Sequence, residues 1–148
     1  INHKTANMKN LISLIIIVLF FSCTDKDNKK SNDLLLKKYS EVTSKEPDTK
    51  GKNVKVWSIK KTERIRINLV EMTGELSKHK HPDAEHSLIV LKGNVKVMVA
   101  DSIITISEND FISIPKNVAH KYWTISPRAY LLSMDAPYYN PDKTISLE

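Results

Sequence analysis

Apolar and polar residues largely alternate along the chain from residue 51 onward. Val54–Ile59 and Arg64–Leu69 are clear examples. A period of two places alternate side chains on opposite faces of a β-strand, so both stretches predict strands. Short runs rich in β-branched and aromatic residues, which favour strands, continue the pattern at Ser87–Leu91, Val95–Val99, Ile103–Ile106, Phe111–Ile114, Tyr122–Ile125 and Ala129–Met134.

Turn-forming residues such as Gly74, Pro82 and Gly93 separate these runs, and no stretch of helical length and period occurs after residue 50. About nine short strands at close spacing predict an all-β sandwich or closed barrel. A chain of 148 residues fits a single folded domain. We therefore predict one β-barrel domain over residues 51–148.

The pattern before residue 51 is different. Met8-Lys9-Asn10 precedes an apolar run of 11 residues, Leu11–Phe21. A membrane-spanning helix needs roughly 20 residues, so this run is too short to be one. A basic start followed by a short apolar stretch predicts a secretory signal peptide over residues 1–22, with Met8 as the true start.

The single cysteine of the chain, Cys23, follows the apolar run directly after Ser22. This junction resembles the lipobox of bacterial lipoproteins, in which cleavage precedes a cysteine that receives lipid. Phe20 and Phe21 depart from the residues that are commoner there. The resemblance implies a protein lipid-anchored at Cys23 in the bacterial cell envelope, facing the periplasm or the cell surface. An uncleaved signal anchor or a plain signal peptide is the alternative.

Residues 24–50 are dominated by charged side chains of both signs, which occupy 13 of the 27 positions. A segment with so few apolar residues cannot bury enough surface to offset the entropy lost on ordering. We therefore predict a flexible tether over residues 23–50. Within it, Asp33–Tyr39 is compatible with one or two helical turns or with a short segment docked on the barrel.

The formal net charge of +6 is spread along the chain. The sequence contains no basic stripe interleaved with aromatic residues, which is the pattern typical of nucleic-acid-binding surfaces. Hydrophobic residues make up 41% of the chain, enough for a folded core and too few for a multi-span membrane protein. We therefore predict no nucleic-acid partner.

Four of the five histidines lie between residues 79 and 120. His79 and His81 are two residues apart, so on a strand they share a face. His86 follows the break at Pro82, and His120 lies far along the chain. Neutral imidazole is the commonest protein ligand for transition metals. We predict that the four histidines converge on one metal ion inside the barrel; surface or hydrogen-bonded core histidines are the alternative.

The same stretch resembles the first conserved motif of the cupin superfamily. That motif contains a glycine, two histidines separated by one residue, a glutamate and a closing glycine. His79 and His81 fit the two histidines and Gly93 fits the closing glycine, while Gly74 stands one residue closer to His79 than the pattern asks.

The second cupin motif is matched further along the chain. Pro115 and His120 fit its proline and histidine with the right spacing. Asn109 and Asn117 replace its two glycines, which asparagine does well because it tolerates left-handed turns. Thr124 stands where the motif has an asparagine. Over about residues 52–136 the resemblance implies a small, cupin type-2-like, double-stranded β-helix, or jelly-roll, barrel.

The motif glutamate has two candidates in this sequence. Glu85 has the right spacing from the histidines, whereas His86 has the right spacing from Gly93. A shift of one residue sends a strand side chain to the opposite face of the sheet. We favour His86 as the third ligand and keep Glu85 as the alternative.

A site with four histidines and no carboxylate leaves the full charge of a divalent ion available for Lewis-acid chemistry. A general base must then come from elsewhere. Tyr122 lies two residues from His120 and so shares its face. Glu71 and Arg66 are further candidates for catalytic residues in the pocket. An ordinary core tyrosine and two solvated strand residues are the alternatives.

Small single-domain cupins include dioxygenases, isomerases and lyases, and a fold alone does not select among them. The resemblance implies a divalent transition metal (Zn, Ni, Fe or Mn), a small oxygenated or sugar-acid substrate and a homodimer. We therefore expect a membrane-tethered, metal-dependent enzyme using Lewis-acid or oxidative metal chemistry. A non-catalytic module that binds metal or a sugar is the alternative.

Overall fold

The computed structural model describes residues 37–137 and 140–147. Within these residues the chain forms eleven β-strands, one short α-helix and a 3-10 turn at Pro141–Lys143. In chain order the elements are α1 (Tyr39–Thr43), β1 (Thr49–Lys50), β2 (Val54–Lys61), β3 (Arg66–Met72), β4 (Glu75–Lys80), β5 (Glu85–Lys92), β6 (Val95–Val99), β7 (Ser102–Ile106), β8 (Phe111–Ile114), β9 (His120–Thr124), β10 (Ala129–Ala136) and β11 (Ile145–Ser146).

The strands form two antiparallel sheets. The larger sheet has the order β1-β2-β3-β10-β5-β8 and the smaller has the order β11-β4-β9-β6-β7. Each sheet combines strands from distant parts of the chain, because β10 lies between β3 and β5 and β9 lies between β4 and β6. This architecture confirms the predicted all-β, jelly-roll fold.

The apolar core lies between the two sheets. The larger sheet contributes Leu88 and Val90, and the smaller sheet contributes Val95 and Val97. The alternation of side chains along a strand explains which residues are buried, since Lys96 lies between two fully buried valines and is itself exposed. The inner faces of both sheets therefore meet in one hydrophobic layer.

Left-handed turns occur at the positions where asparagine replaces the motif glycines. Asn109 and Asn117 have φ angles of 73° and 64°, and Gly93 has a φ of 86°. At Gly93 a Cβ atom would lie 2.6 Å from the carbonyl oxygen of Arg128, so this turn also needs the space that only glycine leaves.

The segment predicted as a tether contributes to the folded structure. The indole Nε1 of Trp57 donates a hydrogen bond to the carbonyl of Lys45 (2.8 Å), and the ring of Tyr39 packs edge-on against Tyr130 (centroids 5.1 Å apart). Strand β1 pairs with β2. The folded region therefore begins by Tyr39 rather than at residue 51, and α1 packs on the outer face of the larger sheet.

Other predictions for the N-terminal part fall on residues that the structure does not describe. These are the apolar run Leu11–Phe21, the lipid-accepting Cys23 and residues 33–36 of the predicted helical turns. Among the described residues, no helix combines the length and the apolar character that crossing a membrane requires.

Candidate metal centre

The four clustered histidines lie together at one end of the barrel interior. His79 comes from β4, His81 follows β4 directly, His86 is in β5 and His120 is in β9. Ring centroids are 4.4 Å apart for His79 and His120, 4.5 Å for His81 and His86 and 5.2 Å for His81 and His120. The two sheets thus supply one compact imidazole cluster.

The cluster contains two overlapping groups of metal-ligand atoms. His79, His81 and His120 form one, and His81, His86 and Asp135 form the other; within each, the ligand atoms lie within 4.8 Å of one another. The first group is a three-histidine set of the kind that leaves a coordination position open at catalytic zinc sites. His86 adjoins it, with its ring stacked at 5.4 Å on that of His120.

Backbone carbonyls fix the orientation of two of the rings. Nδ1 of His79 lies 2.8 Å from the carbonyl of Ser77, and Nδ1 of His120 lies 2.9 Å from the carbonyl of Val118. A proton on Nδ1 satisfies each carbonyl and leaves the Nε2 lone pair for a metal, an arrangement that is usual for ligating histidines.

The second ring nitrogen of His120 tests whether the residues fit a metal. Nε2 of His120 is fully buried and has no hydrogen-bond partner among the described residues. Buried polar atoms are nearly always paired, so such an atom calls for a specific explanation. A cation at this position would satisfy it, and the neighbouring imidazoles are donors of the type that first-row metals prefer.

Three of the histidines are held in the neutral form that binds metal. Burial lowers the pKa of His79 and of His86, and it lowers the pKa of His120 to about 3. A metal competes with protons for the same lone pairs, so these three histidines lose little metal affinity to protons near pH 7.

The carboxylate of Asp135 belongs to this cluster, which corrects the expectation of a site without an acid. Its Oδ1 lies 2.6 Å from Nδ1 of His86 and 3.2 Å from Nδ1 of His81. Its Oδ2 accepts hydrogen bonds from Arg66, at 3.0 Å from Nε and 2.9 Å from Nη2. The side chain of Asp135 is fully buried.

The surroundings of Asp135 keep it ionised. Burial alone would raise its pKa, but hydrogen bonds from His81 and His86 and the charge of Arg66 bring the pKa well below its ordinary value. The charges of Asp135 and Arg66 offset each other in this ion pair.

Strand register explains how Asp135 reaches the histidines. In β10 the inward positions alternate as Leu131, Ser133 and Asp135, and Asp135 pairs directly with Arg66 on one side and His86 on the other. The sequence signal was present, because this alternation puts Asp135 on the same face as Leu131. Only the pairing of three distant strands identifies its partners.

The structure separates the other proposed residues into those inside and those outside the cavity. Arg66 lines it. Glu71 does not, because it lies on the outer face of β3, where it bonds Lys55 and Tyr130; the prediction that it belongs to the pocket is wrong. Glu85 also faces outward and accepts a hydrogen bond from Ser113. His86 is therefore the residue that faces the cluster.

Tyr122 extends from β9 beside the histidines, with its ring 5.4 Å from that of His120. Its hydroxyl is buried and has no hydrogen-bond partner among the described residues. Burial raises its pKa well above 10, so Tyr122 stays protonated near neutral pH and suits the role of hydrogen-bond donor better than that of base.

The histidines open into a cavity of about 210 Å³. Drug-sized ligands occupy pockets of about 300–1,000 Å³, so this cavity suits a smaller molecule. Its wall away from the histidines is mostly apolar, with the polar side chains of Asn68 and Ser133 set into it. Sequence reasoning did not identify these two residues.

Comparison with known proteins finds similar sequences and folds. A family model described as a cupin domain matches residues 68–133. KdgF from Halomonas sp. is similar in structure, with a TM-score of 0.62 and 15% sequence identity over 68% of this chain and 92% of that one. A cupin-2 domain containing protein from Shewanella frigidimarina matches with a TM-score of 0.56 and 21% identity, over 70% of this chain and 95% of that one.

A formate complex of oxalate decarboxylase from Lactobacillus farciminis matches with a TM-score of 0.58 and 23% identity, over 67% of this chain and 32% of that one. No curated protein matches the chain. At these sequence identities, structural similarity establishes the fold but does not establish an activity.

Proposed function

We propose that this chain, which a cupin-domain family model matches over residues 68–133, is a metal-dependent enzyme acting on a small oxygenated or sugar-acid molecule. The observation that carries the proposal is the cluster of His79, His81 and His120, which includes the buried Nε2 of His120 that has no partner among the described residues. These residues would hold a divalent first-row metal, with His86 beside them as a further donor. When bound, such an ion supplies Lewis-acid or oxidative chemistry.

The residues around the cluster support specific tasks in such a reaction. The carboxylate of Asp135 fixes the rings of His81 and His86 through their Nδ1 atoms, an arrangement that is usual for histidines that bind a metal through Nε2. Arg66 holds Asp135 in place from the other side. Tyr122 offers a hydroxyl proton to an oxygen atom of the substrate, and the apolar wall limits the water that reaches it.

A turnover assay tests the proposal. The full chain, loaded with Zn, Ni, Fe or Mn in turn, is incubated with a panel of uronates and catechols. We expect turnover with at least one metal and its abolition in His79→Ala and His120→Ala. Ser87→Ala, on the outward face of β5, is the matched control and retains activity. A metal-bound chain that turns over no member of the panel counts against an enzyme of this substrate class.

A non-catalytic module that binds metal or a sugar is the second candidate, and one observation favours it. Within residues 37–137 and 140–147, Asp135 is the carboxylate that contacts the histidines, and His81, His86 and Arg66 already engage its oxygens. Among the residues in these two ranges, no free carboxylate base is therefore in reach of the histidines. Stoichiometric metal and tight ligand binding without turnover would support this candidate.

We also propose that the protein is attached to the bacterial cell envelope through lipid on Cys23. The support is the basic start, the short apolar run and the Ser22-Cys23 junction. Cell fractionation tests it: Cys23→Ala should release the protein from the membrane fraction. Unchanged membrane association of that variant would contradict the lipid anchor.

A further inference from the structure

Polar side chains on the inner face of the larger sheet are arranged in two successive rows. Strand register aligns Arg66, Asp135 and His86 in the first row. One step further into the barrel, Asn68 pairs directly with Ser133. In the first row, Asp135 pairs with Arg66 and contacts the histidines, which explains why these polar side chains are buried. No such contact among the described residues explains the polar side chains of the second row.

Asn68 and Ser133 are buried but face the cavity. They are 5% and 4% exposed, and both line the space into which the histidines open. Within the described ranges, neither side chain takes part in a hydrogen bond with another residue. The amide of Asn68 and the hydroxyl of Ser133 therefore offer the cavity both hydrogen-bond donors and acceptors.

Tyr122 adds a third unpaired group from the opposite sheet. Its residue is 3% exposed, and its hydroxyl lacks a partner in the part of the chain that the structure describes. The ring lies beside His79 and His120, at centroid distances of 6.2 and 5.4 Å. Tyr122 therefore borders the cavity next to the candidate metal ligands.

We propose that Tyr122, Asn68 and Ser133 form a subsite that recognises the hydroxyl groups of a small hydroxylated carboxylate. This inference rests on the proposed function, because the carboxylate group of the ligand would bind the ion held by the histidines. The small volume of the cavity limits the carbon skeleton. Arg66 already pairs with the carboxylate of Asp135, so the positive charge of a bound ion would remain to attract the anion.

Tyr122→Phe provides the first test, because it removes one hydroxyl and keeps the ring. The full chain is loaded with the first-row metal that it binds most tightly, and calorimetry measures binding of glycerate and of propanoate, which has the same carbon chain without hydroxyls. We expect Tyr122→Phe to weaken glycerate about tenfold, as loss of one hydrogen bond does, and to leave propanoate unchanged.

A readout in the metal-free protein separates recognition from a structural role. Since the hydroxyl of Tyr122 bonds to no described residue, the metal-free Tyr122→Phe variant should melt at the same temperature as the parent or higher. The metal affinity should also be unchanged. A lower melting temperature or a loss of metal affinity would assign Tyr122 to the structure or to the metal shell and would overturn the proposal.

The second row is tested with Asn68→Leu and Ser133→Ala, and Ser87→Ala on the outward face of β5 is the matched control. Each of the two inner variants should weaken glycerate about tenfold, whereas the control binds as the parent does. Equal affinities of the parent for glycerate and propanoate would overturn the subsite, and so would unchanged glycerate binding in the inner variants. In either case a chain that binds metal would still support the proposed function. A chain that binds no metal would overturn both.

Discussion

Two buried carboxylates lie on paired strands of the larger sheet and face opposite sides of it. Asp135, on the inner face of β10, contacts His81, His86 and Arg66. Glu71, on the outer face of β3, contacts Lys55 at 3.0 Å and accepts a hydrogen bond of 2.8 Å from Tyr130. In both, neighbouring donors outweigh burial and lower the pKa.

The difference between the two lies in their partners. Lysine and tyrosine bind Glu71 and complete a network under the N-terminal segment, where Tyr39 packs on Tyr130. Imidazoles bind Asp135, and an imidazole that donates a hydrogen bond from Nδ1–H to a carboxylate still offers Nε2 to a metal. A buried carboxylate held by hydrogen-bond donors therefore stabilises the fold on the outer face of the sheet and orients candidate metal ligands on the inner face.

The largest effect is expected for Asp135→Ala. Removing the carboxylate leaves Arg66 without its buried counter-charge, and breaking such a pair costs about 3–5 kcal/mol. Loss of the group that orients two ligating histidines should also weaken metal binding by about 10–100-fold. Urea denaturation and metal titration measure the two effects. Normal metal affinity in a destabilised variant would show that Asp135 is as purely structural as Glu71.

The pH dependence of stability distinguishes the two regions next. His120 has a pKa of about 3 in the fold and an ordinary value of 6.5, so the unfolded chain binds more protons between these values. The metal-free protein should lose stability as the pH falls from about 6.5 toward 3. Asp135 and Glu71 add their loss below their ordinary values of 3.8 and 4.5.

Urea unfolding at a series of pH values measures this profile. His120→Gln should reduce the slope of stability against pH between pH 6.5 and 3, whereas Glu71→Gln should reduce the slope only below about pH 4.5. A metal-free parent with constant stability between pH 6.5 and 4.5 would contradict the neutral, buried state of His120.

A smaller effect is expected for Glu71→Gln. The substitution removes the charge that attracts Lys55 but keeps an oxygen that accepts from Tyr130, so we expect a loss of about 1–2 kcal/mol in the free energy of unfolding. Metal affinity should not change, because Glu71 faces away from the cavity. Weaker metal binding in this variant would mean that the two faces of the sheet are coupled.

The smallest effect is expected for Tyr130→Phe. It removes the hydroxyl that donates to Glu71 and should cost about 1 kcal/mol, measured by thermal or urea denaturation. Tyr122→Phe is the matched change on the inner side, where no described residue bonds the hydroxyl, and it should cost nothing in the metal-free protein. Equal losses of unfolding free energy in Tyr130→Phe and Tyr122→Phe would contradict the expected difference between the two faces of the sheet.

The sequence predicted much of the fold because the information is local. Strands such as β6 and β8 occur at the predicted residues, Val95–Val99 and Phe111–Ile114, and Asn109 and Asn117 adopt the left-handed turns expected of them. His79, His81, His86 and His120 were also identifiable, because a dense group of histidines is rare enough to notice in the sequence itself.

The missed residues depend on contacts that no local pattern contains. Asp135 is recognised only when β10 is placed between β3 and β5, which brings it to His86 across 49 positions and to Arg66 across 69. Glu71 was assigned to the wrong face, although strand parity argued against it. Arg66 and Glu71 are separated by an odd number of positions, so one uninterrupted strand cannot direct both into the same pocket.

Metal analysis of the purified full chain tests the central claim most directly. We expect about one equivalent of a first-row metal per chain, as a three-histidine site implies, retained in Glu71→Gln and lost in His79→Ala and His120→Ala. Adding the metal should raise the melting temperature of the metal-free parent, since a ligand that binds only the folded state stabilises it. A metal-free chain whose melting is unchanged by excess Zn, Ni, Fe or Mn would contradict the metal centre.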